Sequence, residues 1–376
     1  MINNGGGRRV TGSRRRQAQS ASTSPVGDAL ITARAPLNVF EPSSVVYGTQ
    51  LGAQIVGDSI DLLALLPEES VDLIVTSPPF ALLRKKSYGN EEQSAYVQWL
   101  AGFGKAALRV LKPTGSLVLD LGHAYKRGVP VRSLYNYRVL LTFVDELGYN
   151  LAQEFFWHNP AKLPSPIEWV NKRKVRVKDS VNTIWWLSKT EHPKADVRKV
   201  LGPYSPRMTQ LLKDAEGFYA PAVRPSGHDI GKGFQRNNGG SIPPNLLTLP
   251  NTESNSYYLR TCKQLELRSH PARFPAGLPR FFIQMLTDPG DLVVDIFSGS
   301  NTTGHVAELA ERRWLSFELD RDFAALSALR FLEGEDLDSV RAVLETMNRG
   351  TTARLRARGH AGEPAEEPSS WVGPKG

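Results

Sequence analysis

The amino-acid sequence predicts an α/β protein whose mostly parallel sheet is covered by helices on both faces. Short apolar segments alternate along the chain with longer segments in which apolar residues recur at helical spacing. The segment Val71–Thr76 is almost entirely apolar, as expected of a strand that is buried on both faces of a parallel sheet. Such regular alternation of strands and helices is typical of a sheet with two helical layers.

The elements follow in order along the chain. Strands are predicted at Gln54–Gly57, Val71–Thr76, Gly115–Leu121, Leu151–Trp157, Thr183–Leu187, Leu292–Phe297 and Trp314–Glu318. Helices are predicted after Asp58 and at about 92–111, 133–147 and 302–312. The second helix ends where Pro113 cannot continue it, and the third ends at Gly148. The stretch from about 190 to 270 breaks the alternation and is rich in Pro, Gly, Asn and Ser, which indicates an inserted, loop-rich module.

The charge, the cysteine count and the apolar runs of the chain exclude several classes of protein. The 376 residues include 46 Lys or Arg and 38 Asp or Glu, which gives a formal net charge of +8. This excess favours an anionic partner, nucleic acid first, although other basic proteins carry similar charge. The single cysteine, Cys262, excludes a disulfide framework within the chain and a multi-cysteine zinc site, and no metal is expected. We expect a cytoplasmic protein, because the chain lacks a membrane-length apolar run and a secretory signal.

A strand, a tight loop and a helix follow one another at Asp291–Gly304. Gly299 permits a positive φ and a close approach of the backbone to a ligand, and the helix directs its first N–H groups toward the loop. Glu318 ends the next strand, 23 positions after Asp295, a spacing that suits a carboxylate bound to both hydroxyls of a ribose. The loop lacks the further glycines that a dinucleotide pyrophosphate needs, so it favours an adenosyl amino acid such as S-adenosylmethionine.

The residues Ser77-Pro78-Pro79-Phe80 follow the strand Val71–Thr76 directly. The two prolines fix φ and remove two N–H donors, so the backbone there is rigid and presents only carbonyl acceptors. With the serine hydroxyl and the aromatic ring, these carbonyls can form a pocket for a planar group that bears an NH₂. A Pro-Pro turn is also a common structural exit from a strand. The adenosyl-type loop in the same chain favours the pocket.

The chemistry of an exocyclic base nitrogen explains why such a pocket is needed. The amine is a poor nucleophile because its lone pair is conjugated with the ring. Two acceptors, the Ser77 hydroxyl and the Pro78 carbonyl, can hold both N–H bonds and aim the lone pair at a methyl donor, while Phe80 stacks on the base. The methylated nitrogen is cationic and acidic, so a modest acceptor can take its proton. The sequence therefore predicts methyl transfer to a base nitrogen.

At these residues the chain resembles the DNA amino-methyltransferases. Serine before Pro-Pro-aromatic is similar to the cytosine-N4 branch, whereas aspartate or asparagine there is typical of the adenine-N6 branch. The catalytic turn precedes the cofactor loop, as in the circularly permuted beta class. Longer runs resemble the PvuII-type modification methyltransferases over about Val45 to Leu332. These runs are Ser77–Asn90, Pro164–Ser180, Arg224–Lys232, Gly239–Leu247 and His270–Pro279.

The resemblance implies a role for each matching residue. It assigns Ser77, Pro78, Pro79 and Phe80 to the target-base pocket, and it assigns proton removal to Asp120. Aspartates at such strand ends also cap helices, so Asp120 could instead order a loop, and Asp58 could cap the helix that follows it. The residues implied to bind S-adenosylmethionine are Asp58, Phe274, Pro275, Asp295, Phe297, Gly299, Asn301, Thr302 and Glu318.

Double-stranded DNA is the expected partner. A base inside a duplex is sterically blocked, so the target cytosine must flip out at a cost of roughly a few kcal/mol. Phosphate contacts that recover this cost are expected from Arg84, Lys85, Lys86, Lys172, Arg173, Lys174, Arg176 and Lys178, the last five on a basic edge strand. Base readout is expected from the inserted module, with His228, Asp229, Lys232, Gln235, Arg236 and Asn237 as candidates.

These expectations divide the chain into five parts. The predicted parts are a disordered basic tail at 1–44, a catalytic half at 45–190, a target-recognition module at 191–269, a cofactor-binding half at 270–335, and a C-terminal helix with a disordered tail at 336–376. We expect a nucleoid-associated bacterial monomer. It would be paired in function with a restriction endonuclease without a stable complex, and by resemblance alone its target would be CAGCTG with the inner cytosine modified.

Four alternative functions differ from this one in identifiable residues. An adenine-N6 methyltransferase shares the fold, but Ser77 argues against it. A cytosine-C5 methyltransferase needs a cysteine nucleophile, usually after proline, and Cys262 follows Thr261 in the irregular module. A non-catalytic DNA-binding relative would lack an intact catalytic turn or ribose carboxylate. A dinucleotide-dependent oxidoreductase would leave the Ser-Pro-Pro-Phe turn unexplained.

Overall fold

The computed structural model describes residues 37–80, 93–126, 128–214, 236–252 and 256–355. Within these ranges, ten strands form one sheet in the order β10-β1-β2-β9-β8-β3-β4-β6-β5-β7. The strands are β1 (Val45–Gly48), β2 (Gly52–Val56), β3 (Val71–Thr76), β4 (Leu111–Leu121), β5 (Asn150–His158), β6 (Val181–Ser188), β7 (Leu246–Thr248), β8 (Leu292–Asp295), β9 (Arg313–Glu318) and β10 (Ala353–Arg354).

The five central strands, β2, β9, β8, β3 and β4, are parallel neighbours. β6 is antiparallel to both β4 and β5, and β1 is antiparallel to β2. The predicted mostly parallel sheet is therefore confirmed. The carboxyl ends of the five central strands share one edge of the sheet. There β3, from the first half of the chain, lies beside β8, from the second half, which is the usual place for a ligand in an open α/β sheet.

Helices cover both faces of the sheet, as predicted. The described helices are α1 (Ser59–Leu65), α2 (Gln93–Val110), α3 (Tyr135–Leu141), α4 (Pro206–Lys213), α5 (Tyr257–Gln264), α6 (Gly277–Leu286), α7 (Thr302–Leu309), α8 (Arg321–Ser327) and α9 (Leu337–Asn348). Residues of α1 to α3 join one buried apolar layer, and residues of α5 to α9 join the other. Ile74 of β3 belongs to the first layer, whereas Leu73 and Val75 belong to the second, because successive strand residues face opposite sides. No described helix is long and apolar enough to cross a membrane.

The chain ends are more structured than the sequence predicts. Residues 37–44, assigned to the disordered tail, include two 3₁₀ turns at Leu37–Val39 and Pro42–Ser44. Between them the buried Phe40 packs edge-on against Phe317, with ring centroids 5.8 Å apart. After α9 the chain adds β10 beside β1, because Ala353 and Leu355 are buried in the second layer. Residues 1–36 and 356–376, where the rest of both predicted tails falls, lie outside the described residues.

The predicted basic edge strand at 171–178 is wrong. A helical turn occupies Glu168–Lys172, and irregular backbone follows it to residue 180. Within this segment Arg173 Nε donates to Glu168 at 2.9 Å, and Arg176 Nη1 donates to the Pro130 carbonyl at 2.7 Å. The edge beside β5 is instead taken by β7, which comes from the inserted stretch.

Candidate active site

A cavity of about 450 Å³ opens at the carboxyl edge of the central strands. It is lined by the segments that follow β2, β3, β5, β8 and β9, by the end of β4 and by the start of β6, so residues far apart in sequence share its wall. The predicted residues that line it are Asp58, Ser77, Pro78, Pro79, Phe80, Asp120, Phe274, Phe297, Gly299, Thr302 and Glu318. Pro275, Asp295 and Asn301, also predicted to bind the cofactor, are not among its lining residues.

Ser77, Asp120 and Asn182 form a hydrogen-bonded group at one end of the cavity. Thr76 lies opposite Leu119 in the parallel pair of β3 and β4, which brings Ser77 next to Asp120. The Ser77 hydroxyl donates to Asp120 Oδ2 at 3.1 Å, and the Asn182 amide donates to Asp120 Oδ1 at 3.2 Å. Donation to the carboxylate leaves the lone pairs of Ser77 Oγ available to a ligand.

The environment of Asp120 makes it a moderate proton acceptor. Burial raises its pKa from 3.8 to about 6, although hydrogen bonds from Asn182 and Ser77 and the charge of Lys162 act in the opposite direction. The carboxylate is therefore mostly ionised at neutral pH, yet it binds a proton more readily than an exposed aspartate. A group with these properties suits general base catalysis near neutral pH.

The Phe80 ring occupies space beside the cavity that is available only because Gly122 has no side chain. An added Cβ at Gly122 would lie 2.2 Å from the Phe80 ring, so any side chain at that position would displace the ring. Gly122 follows β4, and its carbonyl accepts a hydrogen bond from the buried Tyr135 hydroxyl. The aromatic wall beside the serine therefore depends on a glycine that the sequence did not single out.

Glu318 and Gly299 form the opposite end of the cavity. Glu318 Oε2 accepts from the backbone N of Gly299 at 2.8 Å, and Oε1 accepts from that of Asp320 at 3.0 Å. Gly299 has a φ of +51°. A Cβ there would also lie 2.8 Å from the His270 ring. Burial raises the pKa of Glu318. A carboxylate with remaining lone pairs beside a tight glycine loop suits a neutral diol such as ribose.

Asp295 and Asn301 organise the loop from inside. Asp295 accepts from the hydroxyls of Thr76 at 2.8 Å and Thr303 at 2.7 Å, and from Phe297 N at 3.1 Å. Its carboxylate thereby joins the end of β3 to the loop after β8. Asn301 has a φ of +53°, and its side chain caps α7 by accepting from Gly304 N. The two side chains turn inward because these backbone amides and hydroxyls are their partners.

Asp58 has the capping function that the sequence left open. Its Oδ1 accepts from Ile60 N at 2.8 Å at the start of α1. The same residue lines the cavity, so capping and ligand contact are geometrically compatible.

An aromatic wall from α2 was missed in the sequence. Phe297 contacts Phe103 and Trp99, with ring centroids 4.8 Å and 5.8 Å apart, and all three line the cavity. Trp99 and Phe103 are four residues apart, so they share a helix face, which was the available signal. The other lining residues that sequence reasoning missed include Trp157, Asn159, Lys162, Ser180, Asn182 and Asn251, whereas His270 and Arg273 belong to the run His270–Pro279, which was expected to cover the methionine end of the cofactor.

Only some of the residues predicted to contact DNA lie within the described part of the chain. Lys172, Arg173, Lys174, Arg176 and Lys178 lie on the loop between β5 and β6 and do not line the cavity. Several already have partners: Lys172 Nζ is 3.4 Å from Glu168, and Arg176 is 3.7 Å from Asp179 and lies over the Tyr125 ring. Arg236 is exposed, and Asn237 accepts from the Tyr204 hydroxyl. Arg84, Lys85, Lys86, His228, Asp229, Lys232 and Gln235 lie outside the described residues.

Comparisons with known proteins agree with this geometry. Residues 71–329 match the family described as DNA methylase. The chain is 61% identical over 287 residues to the type II methyltransferase M.PvuII of Proteus hauseri, covering 76% of this chain and 85% of that protein. It is 25% identical to M.BglII of Bacillus subtilis, covering 74% of this chain and 68% of that protein. A solved structure titled PvuII DNA methyltransferase (cytosine-N4-specific) aligns with a TM-score of 0.68 at 49% identity, covering 82% of this chain and 96% of that one.

Proposed function

The chain belongs to the DNA methylase family, and we propose that it transfers a methyl group from S-adenosylmethionine to N4 of a cytosine flipped out of double-stranded DNA. The observation that carries the proposal is the contact between Ser77 and the buried Asp120 in the same cavity as Glu318 and the Gly299 loop. An acceptor for an amine and a site for a ribose thus line the same cavity. The match to the cytosine-N4-specific PvuII enzyme favours cytosine over adenine.

The residues present fit an adenosyl cofactor. The aromatic rings of Phe297, Trp99 and Phe103 offer an apolar surface for a planar base, and Glu318 lies where a ribose would meet it. The Gly299 amide already donates to Glu318. When bound, S-adenosylmethionine supplies an electrophilic methyl group.

The residues of the catalytic end position the amine and remove its proton. Ser77 Oγ donates its own hydrogen to Asp120, so its lone pairs can accept one N–H of the cytosine amine, and the Pro78 carbonyl can accept the other. As the amine accepts the methyl group, the N–C bond would form while the bond between the methyl group and the donor sulfur breaks, and the nitrogen would become cationic. Its proton moves to Ser77 Oγ while the serine hydrogen moves to Asp120, so the charge on nitrogen is lost and the carboxylate becomes neutral. Asn182 holds the carboxylate in place during this exchange.

The finer assignments rest on the same proposal. We propose CAGCTG as the target with the inner cytosine modified, and functional pairing with a restriction endonuclease without a stable complex. The remaining proposals are a monomer that acts at the nucleoid in the bacterial cytoplasm, and the division into catalytic half (45–190), recognition module (191–269) and cofactor half (270–335). The basic loop between β5 and β6, with Lys172, Arg173 and Lys174 at its surface, would contact phosphates.

Label transfer from methyl-labelled S-adenosylmethionine tests this function. Wild-type protein is expected to label a duplex that contains CAGCTG and to leave a duplex with the scrambled site CACGTG unlabelled. Ser77→Ala should keep its cofactor affinity in calorimetry and lose transfer by about a hundredfold or more. Ser70→Ala is a matched control, since Ser70 precedes the amino end of β3 and its hydroxyl donates to the Pro67 carbonyl, away from the cavity. Wild-type turnover in Ser77→Ala would refute the role of the serine.

A further inference from the structure

A tight turn at Asn159–Lys162 forms part of the cavity rim, directly after β5. The Asn159 side chain accepts from Ala161 N at 3.1 Å, and its carbonyl accepts from Lys162 N at 3.1 Å. Asn159 N in turn donates to the Ser180 carbonyl at 2.8 Å, next to the start of β6. These bonds give the turn a defined position relative to the sheet.

Two further contacts hold the same turn from outside. Lys178 Nζ lies 3.5 Å from the Pro160 carbonyl and 3.3 Å from the Lys162 carbonyl, so one ammonium group bridges both carbonyls. Asn251 N donates to the Asn159 side chain at 3.2 Å, which ties the turn to the segment after β7. The rim is therefore held by two separate parts of the chain, the segment before β6 and the segment after β7.

The turn presents neighbouring side chains to different surroundings. Lys162 lines the cavity. Leu163 is 80% exposed, although consecutive Cα atoms are only about 3.8 Å apart. Pro164 and Pro166 follow it and restrict φ, so the segment beyond the leucine is stiff. A large apolar side chain is thus held in solvent immediately outside the place where the target base would react.

We propose that Leu163 inserts into the DNA base stack at the position that the flipped cytosine leaves, an inference that rests on the function proposed above. Flipping costs the stacking and pairing of one base, and an apolar side chain between the remaining bases recovers part of that loss. Leu163 meets the geometric requirement because its neighbour Lys162 lines the cavity that would receive the base. Burial in the stack also removes its apolar surface from water.

Charge on the same loop points to DNA as the occupant. Lys172, Arg173 and Lys174 are exposed on the segment that follows the leucine, and such charges attract a phosphate backbone rather than an apolar partner. Val177 is even more exposed, at 85%, but neither Arg176 nor Lys178 beside it lines the cavity. It therefore provides a matched control: an exposed apolar residue on the same loop without a place at the rim.

The test compares two variants on two substrates in single-turnover methylation. The substrates are a duplex that contains CAGCTG and the same duplex with the target cytosine opposite an abasic site, where pairing no longer opposes flipping. Leu163→Ala should lower the rate on the intact duplex by about tenfold or more and leave the rate on the abasic duplex near that of wild type. Val177→Ala should match wild type on both. With 2-aminopurine at the target position, Leu163→Ala should also reduce the fluorescence increase that accompanies flipping.

The remaining outcomes overturn the inference in distinguishable ways. An equal loss of methylation rate on both substrates would mean that Leu163 supports the cavity or the fold rather than flipping. Wild-type rates of Leu163→Ala on both substrates would mean that Leu163 has no role in flipping. The same selective defect in Val177→Ala would mean that any exposed apolar residue of this loop contributes, and it would contradict a specific role for Leu163. If wild-type protein methylates neither substrate, the proposed function itself fails, and the inference fails with it.

Discussion

Replacing Asp120 with asparagine is expected to stabilise the fold above pH 6 or so while it strongly lowers the rate of methyl transfer. Burial raises the pKa of Asp120 from 3.8 to about 6, so the folded state is penalised whenever the carboxyl group is ionised. A rise of this size corresponds to about 3 kcal/mol of unfolding free energy. An asparagine amide of similar shape can still meet Ser77 and Asn182 without carrying the charge.

The pH range of the effect follows from the direction of the pKa change. Below pH 3.8 Asp120 is protonated in both the folded and the unfolded chain, so it contributes no penalty. Between 3.8 and about 6 the folded chain holds a proton that the unfolded chain has lost, and wild-type stability falls as pH rises. Above about 6 the full penalty is present. The stability gain of Asp120→Asn should therefore grow across this window and then stay constant.

Urea unfolding of wild type and variant at a series of pH values measures this gain directly. Asp288→Asn is a control with the opposite expected change in stability. Lys194 and Lys199 hold the pKa of Asp288 at about 2, so removing this carboxylate should lower the unfolding free energy at neutral pH. Methyl transfer by Asp120→Asn should fall by about 10²- to 10⁴-fold. A variant that is less stable than wild type at pH 8, or that keeps wild-type turnover, would refute the account of Asp120.

Three further substitutions test neighbouring parts of the site. Asn182→Ala removes a hydrogen bond that lowers the pKa of Asp120, so the acidic pKa in the pH profile of the methylation rate should rise above about 6. An unchanged pH profile would mean that Asn182 has only a structural role. Gly122→Ala should displace Phe80 and slow transfer by about tenfold or more, while calorimetry shows unchanged cofactor affinity. Glu318→Ala should raise the cofactor Kd by about tenfold or more in calorimetry, and an unchanged Kd would contradict the ribose assignment.

The strand framework was predictable because each central strand is short, apolar and bounded by polar or turn residues. The predicted span Val71–Thr76 is also the observed one, and Glu318 ends β9 as expected. Residues that directly follow such strands must meet at one sheet edge, so Ser77 and Glu318 could be assigned to a common site from the chain alone.

Other features depend on contacts that the linear pattern does not contain. The basic segment after Lys172 alternates like a strand, but β7 occupies the edge beside β5 and the segment has irregular backbone instead. Asp295 has the position of a ligand-binding carboxylate, yet its partners Thr76 and Thr303 turn it inward. The direction in which a side chain points was the least predictable property.

The partners of Asp120 illustrate the same limit at the catalytic end. Asp120 and Asn182 are 62 positions apart and meet only because β6 runs antiparallel to β4. The sequence predicted both strands but not their antiparallel pairing. Lys162 and Leu163 likewise became notable only once the turn after β5 was seen at the cavity rim.

Nucleoside mass spectrometry tests the central claim most directly. A duplex that contains CAGCTG is incubated with the protein and with S-adenosylmethionine that carries a deuterated methyl group, then digested to nucleosides. The Ser77–Asp120 site predicts deuterated N4-methylcytosine from wild type and about a hundredfold less or lower still from Ser77→Ala in the same time. Deuterated N6-methyladenine or 5-methylcytosine as the product would contradict the proposed reaction.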